Sequence, residues 1–456
     1  MIENRLMSYK LILKQDRRLY QALQQSLKAQ DNLDEYDQIF LHVFAPVIVN
    51  YVRWVLETAK SKNIDRLYFL ARDGWIMYHI ASYIQRNRTD LQIELRYIHV
   101  SRYVLRNAEY SFVGRDVLDS VFVGGIDITF EKLMKRVDFT DEEIINVAKE
   151  IDFTERIKEC LSYAQIQELK LKVDECSELF FKYVEGHSKE FFDTTIGYLR
   201  ENGLFEDVSY AIVDSGWLGS TQKSLNRLIS HISGKSPRLE GFYFGLYDIP
   251  DSMAASDYHA YYIKPGKNIS RKSRFSICLF ETTFSSPEGM TIGYRDKIQG
   301  GFEAVQSDKG NPNSAFMKRN YELVKQFVYN LDKVWFLEKA DEKKSTQIAE
   351  KLLSKIMSNP TALEASTFGG LQFCDDVLEL QMQNVAAKWD MGELHNQQFF
   401  RRIRIKFFKS NKKLHESGWP EASIVNLLGE GYKASNALRG ERLYKRLMYV
   451  RKAIKK

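Results

Sequence analysis

Eight histidines are scattered through 456 residues, and no two stand at the HxxxH or HExxH spacing that would put a zinc site on one helix face. The four cysteines, Cys160, Cys176, Cys278 and Cys374, form no CxxC pair. That excludes a zinc frame or a disulfide scaffold and leaves ordinary reduced thiols. No GxSxG nucleophile elbow is present. No stretch reads as the roughly 18 uninterrupted apolar residues of a membrane span, and MIENRLMSYKLILKQDRR at the N-terminus lacks the apolar centre of a signal peptide. A cytoplasmic protein is expected. Internal repeats and long low-complexity linkers are also missing.

The charge is unevenly spread. Residues 401–456 hold 16 Lys and Arg against four Glu and no Asp, so a formal net charge of +6 overall hides a mildly acidic body and a basic end. The segments RRIRIKFFK and YKRLMYVRKAIKK space cations with aromatics at helical intervals. A solvated basic helix is the plain reading. The sharper one is a contact with an anionic membrane surface or an acidic partner; the former would place the protein peripherally at the inner face of the membrane. Nucleic acid is not expected as a partner.

Hydrophobic periodicity divides the chain into five parts. Residues 1–60 read as a helical segment in which Pro46 marks a break or a helix start. Residues 61–110 begin an α/β unit, with strand RLYFLA (66–71), helix WIMYHIASYIQ (75–85) and strand IELRYIHV (93–100). Residues 111–205 read as an α-helical insertion or cap, with a capping box at Thr140 and Glu143 and a stop at Gly203. Residues 206–310 resume the α/β pattern through strand VSYAIVD (208–214), loop SGWLGS, helix TQKSLNRLISHI (221–232) and strand LEGFYFGLY (239–247). Residues 311–456 are helical and end in the basic region. The fold expected is therefore α/β, a Rossmann-like, mostly parallel sheet with a large α-helical insertion and a helical, basic C-terminal region.

Ligands of open α/β sheets bind beyond the carboxyl ends of the strands, and three polar clusters fall there. Arg72-Asp73-Gly74 follows the first strand, Ser101-Arg102 the second, and Asp214-Ser215-Gly216-Trp217-Leu218-Gly219-Ser220 the third, with Thr221 opening a helix. In the last, Gly216 and Gly219 would let the backbone approach a ligand, while Ser215, Ser220, Thr221 and the first helical N–H groups would cradle an anion. The bland alternative is a tight turn with a capping serine. Asp73 has a similar alternative as a helix cap; otherwise it is a ligand-facing carboxylate beside the phosphate clamps Arg72 and Arg102. Asp73 and Asp214 could also hold a metal, with Mg2+ the cation expected. In FETTFSSPEGMTIGY (280–294), Glu281 is a candidate general base in what reads as a loop, with Ser285 and Ser286 serving that loop.

The series FLARDG, YIHVSR, VDSGWLGSTQ and FETTFSSPEGMTIGY resembles a module found at the C-terminal end of bacterial predicted hydrolases of the haloacid-dehalogenase-like superfamily, associated with capsular and other surface polysaccharide biosynthesis. SGWPEASI (417–424) adds to the resemblance. It implies a cytoplasmic protein that binds or acts on a phosphorylated or nucleotide-activated sugar by hydrolase- or transferase-type chemistry. The superfamily's DxDx[TV] nucleophile pair is absent, however. Gly74 and Trp75 follow Asp73, Thr129 stands where a second Asp would follow Asp127, and CDDV (374–377) lacks the spacing. A non-catalytic ligand- or partner-binding module of the polysaccharide assembly machinery is therefore the alternative, with residues 401–456 as the contact to a partner of that machinery. IVDSGWLGST is also similar in layout to phosphoribosyltransferases, although Ser215 stands where their second acid belongs.

Overall fold

The run Leu67-Tyr68-Phe69-Leu70 needs no polar position because both of its faces are covered. The computed structural model describes all residues except 1, 31, 126, 236–237, 332, 375–381, 408–413 and 455–456. In it these residues belong to strand β1 (Arg66–Leu70). Leu67 and Phe69 enter one apolar cluster, while Tyr68 and Leu70 enter another on the opposite face, as the strand's period of two requires. Four more strands complete the sheet: β2 (Glu94–Ile98), β3 (Tyr210–Trp217), β4 (Glu240–Leu246) and β5 (Tyr258–Ile263). All pairs are parallel, in the order β2-β1-β3-β4-β5. The fold is Rossmann-like α/β. From β1 the chain moves outward to β2, then returns to β3 and proceeds the other way. The resulting switch point between β1 and β3 opens a crevice beyond the strand ends.

Helices α1 (Glu35–Ser61) and α2 (Gly74–Arg86) cover one face. Helices α3 (Arg102–Val113), α4 (Glu178–Glu201) and α5 (Ser220–Ser233) cover the other. Further along lie α6 (Ile277–Phe284), an antiparallel hairpin of β6 (Thr291–Asp296) and β7 (Phe302–Gln306), and the C-terminal α7 (Tyr432–Ile454). Between α3 and α4 the expected helical insertion forms, with an apolar cluster of its own. Its Asp141–Glu150 helix starts at the anticipated capping box, where Thr140 N donates to Glu143 Oε2 at 2.8 Å. Gly203 follows the end of α4 at φ +77°.

The structure departs from the sequence reading in several places. Residues 2–61 form three helices, Ile2–Leu13, Arg17–Lys28 and α1, and Pro46 lies inside α1 without ending it. An interior proline costs about 3 kcal/mol, but α1 buries nearly every residue from Tyr36 to Leu56, and each large apolar side chain returns about 1.5–3 kcal/mol. Ser215, Gly216 and Trp217 continue β3 rather than forming a loop, because β4 runs alongside and pairs Gly216 with Gly245 and Trp217 with Leu246. FETTF is helical within α6, whose first turn is capped by Ser276 accepting from Leu279 N at 3.2 Å. Finally, α1 is long and apolar enough to cross a bilayer, alone among the described residues, contrary to the expectation that no segment qualifies; its apolar window is wholly buried inside the protein. Asp375, Asp376 and Val377 of CDDV lie outside the described residues.

Tyr51 ties α1 to the sheet beneath the switch point. Its buried hydroxyl sits 2.9 Å from both Asp214 O and Phe242 O, and its single proton serves the two. Replacing Tyr51 with Phe should cost about 1 kcal/mol, read as a lower urea midpoint at unchanged slope. An unchanged midpoint would show that the hydroxyl holds nothing.

Candidate functional site

A cleft of about 520 Å³ opens at the carboxyl ends of β1, β2 and β3. Asp73, Arg72, Ser101, Arg102, Asp214, Gly216, Ser220, Thr221 and Glu281 all line it. Residues up to about 200 positions apart thus meet in one place. Gly74, Ser215 and Gly219 stand behind the lining.

The floor is acidic. Asp73 precedes α2 but makes no side-chain cap; its backbone is already helical, at φ −62° and ψ −33°. Its Oδ2 instead accepts a hydrogen bond from the Ser215 hydroxyl, which fixes the carboxylate across the gap between β1 and β3. Burial raises the Asp73 pKa, while Ser215, Arg72 and Arg102 oppose the rise. Asp214, on β3, is pushed up further, by burial first and then by the neighbouring charges of Asp73 and Glu281, against the pull of Ser215 N and Arg102. Glu281, on α6, accepts from Trp217 Nε1 at 2.8 Å. Burial and the Asp73 charge push its pKa up to about 7, although Arg102, Trp217 and Arg72 favour its ionised form. A carboxyl group with that pKa can both give and take a proton near neutrality. Arg102, exposed at the start of α3, acts on all three acids.

Backbone geometry explains the glycines. Gly216 adopts φ +134°, and a Cβ there would stand 1.9 Å from Gly245 O. The close approach anticipated for a ligand is thus made to the next strand. Gly219 adopts φ +63° as the N-cap of α5, where a Cβ would meet the Tyr258 ring at 2.4 Å. No side chain caps this helix, so Ser220 and Thr221 face the cleft at an N-terminus whose N–H groups suit an anion. Gly74 packs in the first turn of α2, where a Cβ would stand 2.8 Å from the main chain of Phe69. The Ser101 hydroxyl is engaged: it accepts from Val104 N at 3.1 Å and donates to Thr291 O at 2.7 Å. Ser285 and Ser286 hold their loop, which Asn311 bridges by donating to Ser286 O at 2.6 Å.

Other residues lining the cleft escaped the sequence reading. Tyr247 follows β4 as Arg72 follows β1, so the strand-end rule extended one strand further would have found it. Thr282 lies beside Glu281 on α6, which the sequence reading took for a loop. Tyr449 and Lys452 come from α7, whose basic character was evident but whose docking was not. Tyr449 packs against Tyr247 with ring centroids 5.5 Å apart, so part of the basic end is a wall of the cleft.

The raised pKa of Glu281 has a signed consequence for stability. The folded chain holds this proton more tightly than the unfolded chain, so the stabilisation is complete below about pH 4.3 and fades as pH rises to about 7. Glu281→Gln should flatten the pH dependence of the thermal midpoint across that window and leave the variant more stable than wild type at pH 8, by at most about 4 kcal/mol. Parallel wild-type and variant profiles would sink the assignment. No family model matches the chain and no curated protein matches it, so what the cleft does has to be argued from its own residues.

Proposed function

We propose that the cleft binds a phosphorylated or nucleotide-activated sugar and promotes hydrolysis or transfer at its phosphate, as a step in surface polysaccharide biosynthesis. The observation carrying this reading is the meeting of Asp73, Asp214 and Glu281 with Arg72, Arg102 and the α5 N-terminus around one cleft at the β1/β3 switch point. Cations and helical N–H groups suit a phosphate, and carboxylates suit sugar hydroxyls and proton transfer. The polysaccharide setting rests on the resemblance of the four motifs.

In this reading Arg72 and Arg102 hold phosphate oxygens, and Ser220 and Thr221 complete the cradle. Glu281 moves a proton to or from the reacting oxygen. Asp73 is not assigned as a nucleophile, because Gly74 and Trp75 follow it where a phosphatase would need its second acid. Asp73 and Asp214 also fit Mg2+. The described residues hold no group of three His, Cys, Asp or Glu able to bind a metal alone, but Mg2+ is commonly bound by one or two carboxylates together with substrate phosphate and water. It would supply charge neutralisation at the phosphate.

The missing nucleophile pair favours a second reading, a module that binds such a ligand without turning it over. A phosphoribosyltransferase-like enzyme is favoured less. Because β3 runs on to Trp217, only Leu218 and Gly219 separate strand from helix, leaving little loop to wrap a ribose phosphate.

The test offers nucleotide sugars, sugar phosphates and phosphoribosyl pyrophosphate to the protein with and without magnesium, reading phosphate or nucleotide release and thermal shift. Asp214→Asn and Glu281→Gln should each lower turnover by about a hundredfold or more, and Arg102→Ala should raise KM. The Glu281 variant should also lose a limb of the pH–rate profile near pH 7. A thermal shift that vanishes in Arg102→Ala, with no turnover, would favour the binding module. No shift and no turnover across the panel would defeat both.

A further inference from the structure

Helix α7 is apolar on two sides, and the fold uses only one of them. At 100° per residue, Ala434, Leu438, Glu441 and Lys445 share the side turned toward the protein. Ala434, Leu438 and Glu441 are buried. Lys445 Nζ reaches both Glu421 oxygens at 2.7 and 2.8 Å, and Glu441 accepts from Arg402 at 2.7 Å. The Arg402 guanidinium lies 4.0 Å from the Tyr444 ring centroid. These contacts hold the helix firmly while Tyr449 and Lys452 look into the cleft.

The opposite side carries Tyr432, Leu443, Leu447 and Ile454, which are 80%, 54%, 42% and 78% exposed. Leu443, Leu447 and Ile454 follow i, i+4, i+11 spacing, with Val450 at i+7, so they form one stripe. Exposed Lys433, Arg439 and Arg446 flank it. The only acid in α7 is Glu441, on the inner side and already paired, so every charge on the outer side is positive.

We propose that the outward face of α7 docks in the plane of an anionic lipid surface. Charge complementarity selects the occupant. Phosphate head groups satisfy the flanking cations while the acyl boundary takes up the leucines and isoleucine, the combination that holds interfacial helices. Nucleic acid would use the cations but leave the stripe in water. Because the other side of α7 lines the cleft, docking brings the cleft to the head-group layer, where a lipid-linked phosphate would be met. The docking inference does not depend on how the cleft is read.

The test is co-sedimentation of the full chain with phosphatidylcholine vesicles containing or lacking about 30% phosphatidylglycerol. Binding should require the anionic lipid and weaken at least about tenfold when salt rises from about 0.1 to 0.5 M. Leu443→Ser with Leu447→Ser, and separately Arg439→Glu with Arg446→Glu, should each abolish it while the circular dichroism spectrum and thermal midpoint stay unchanged. Lys172→Glu with Lys182→Glu, an equal charge change on the exposed surface of the insertion, should leave binding within about twofold. Arg102→Ala should bind vesicles like wild type even where it loses a cleft ligand, which separates this inference from the proposed function. Equal binding to neutral vesicles, binding indifferent to the α7 variants, or a lipid-free dimer broken by the serine pair would each overturn it.

Discussion

Three carboxyl groups share a confined space at the β1/β3 switch point, and the rest of the site is organised around the cost of ionising them. Burial raises Asp73, Asp214 and Glu281 together, the Asp73 charge raises the other two, and Glu281 raises Asp214 as well. Arg102 opposes this at all three, while Arg72 acts on Asp73 and Glu281. The least costly response is to leave a proton in the cluster near neutral pH, on Asp214 or Glu281. A group able to accept that proton meets a site where the exchange is favourable. Such poise is a frequent property of functional sites and a costly arrangement for a purely structural one.

That arrangement is held by hydrogen bonds and packing from the surrounding scaffold. Tyr51 holds the main chain of β3 and β4 from below. Ser215 holds Asp73 across the switch point, and Trp217 holds Glu281 from the end of the same strand. Trp217 is itself packed against Phe275 and Phe280, with ring centroids 5.0 and 5.7 Å away. One strand, β3, thus supplies Asp214 and positions the other two acids. Its glycine at 216 serves this purpose, since only a residue without Cβ lets β3 lie so near Gly245 that the strand can continue to Trp217.

Much of this was legible in the sequence. Strands covered on both faces read as apolar runs, and the polar residues that end β1 and β3 stand out by contrast, which marks Arg72-Asp73 and Asp214; Ser101-Arg102 is marked by its place after the half-buried edge strand β2. What escaped depends on contacts that no local pattern records. Ser215-Gly216-Trp217 looks like a loop because glycine weakens strand propensity, and only the adjacent β4 makes it a strand. Pro46 looks like a break because helix propensity cannot register burial on every side. Tyr258–Ile263 is rich in β-formers but follows a polar, irregular stretch, which hides the fifth strand. Lys452 could be recognised as a cation and not as a cleft residue, since more than 200 residues separate it from Asp214.

The C-terminal helix shows why a basic segment should not be read as one feature. Its charges divide by side. Lys445 is drawn inward by Glu421 in a closed contact. Lys452 faces the cleft, and Arg439 and Arg446 face solvent. A run of cations in sequence therefore does three separate jobs once the helix is docked, and net charge alone measures none of them. The inner pairs are buried and little affected by salt, whereas the outer cations are screened within about 8 Å at physiological ionic strength. Salt should therefore weaken what the outer side attracts without releasing the helix from the body. The cleft wall formed by Tyr449 and Lys452 would then stay in place whether or not the outer surface is occupied, so a surface-bound and a free molecule present the same cleft to a ligand.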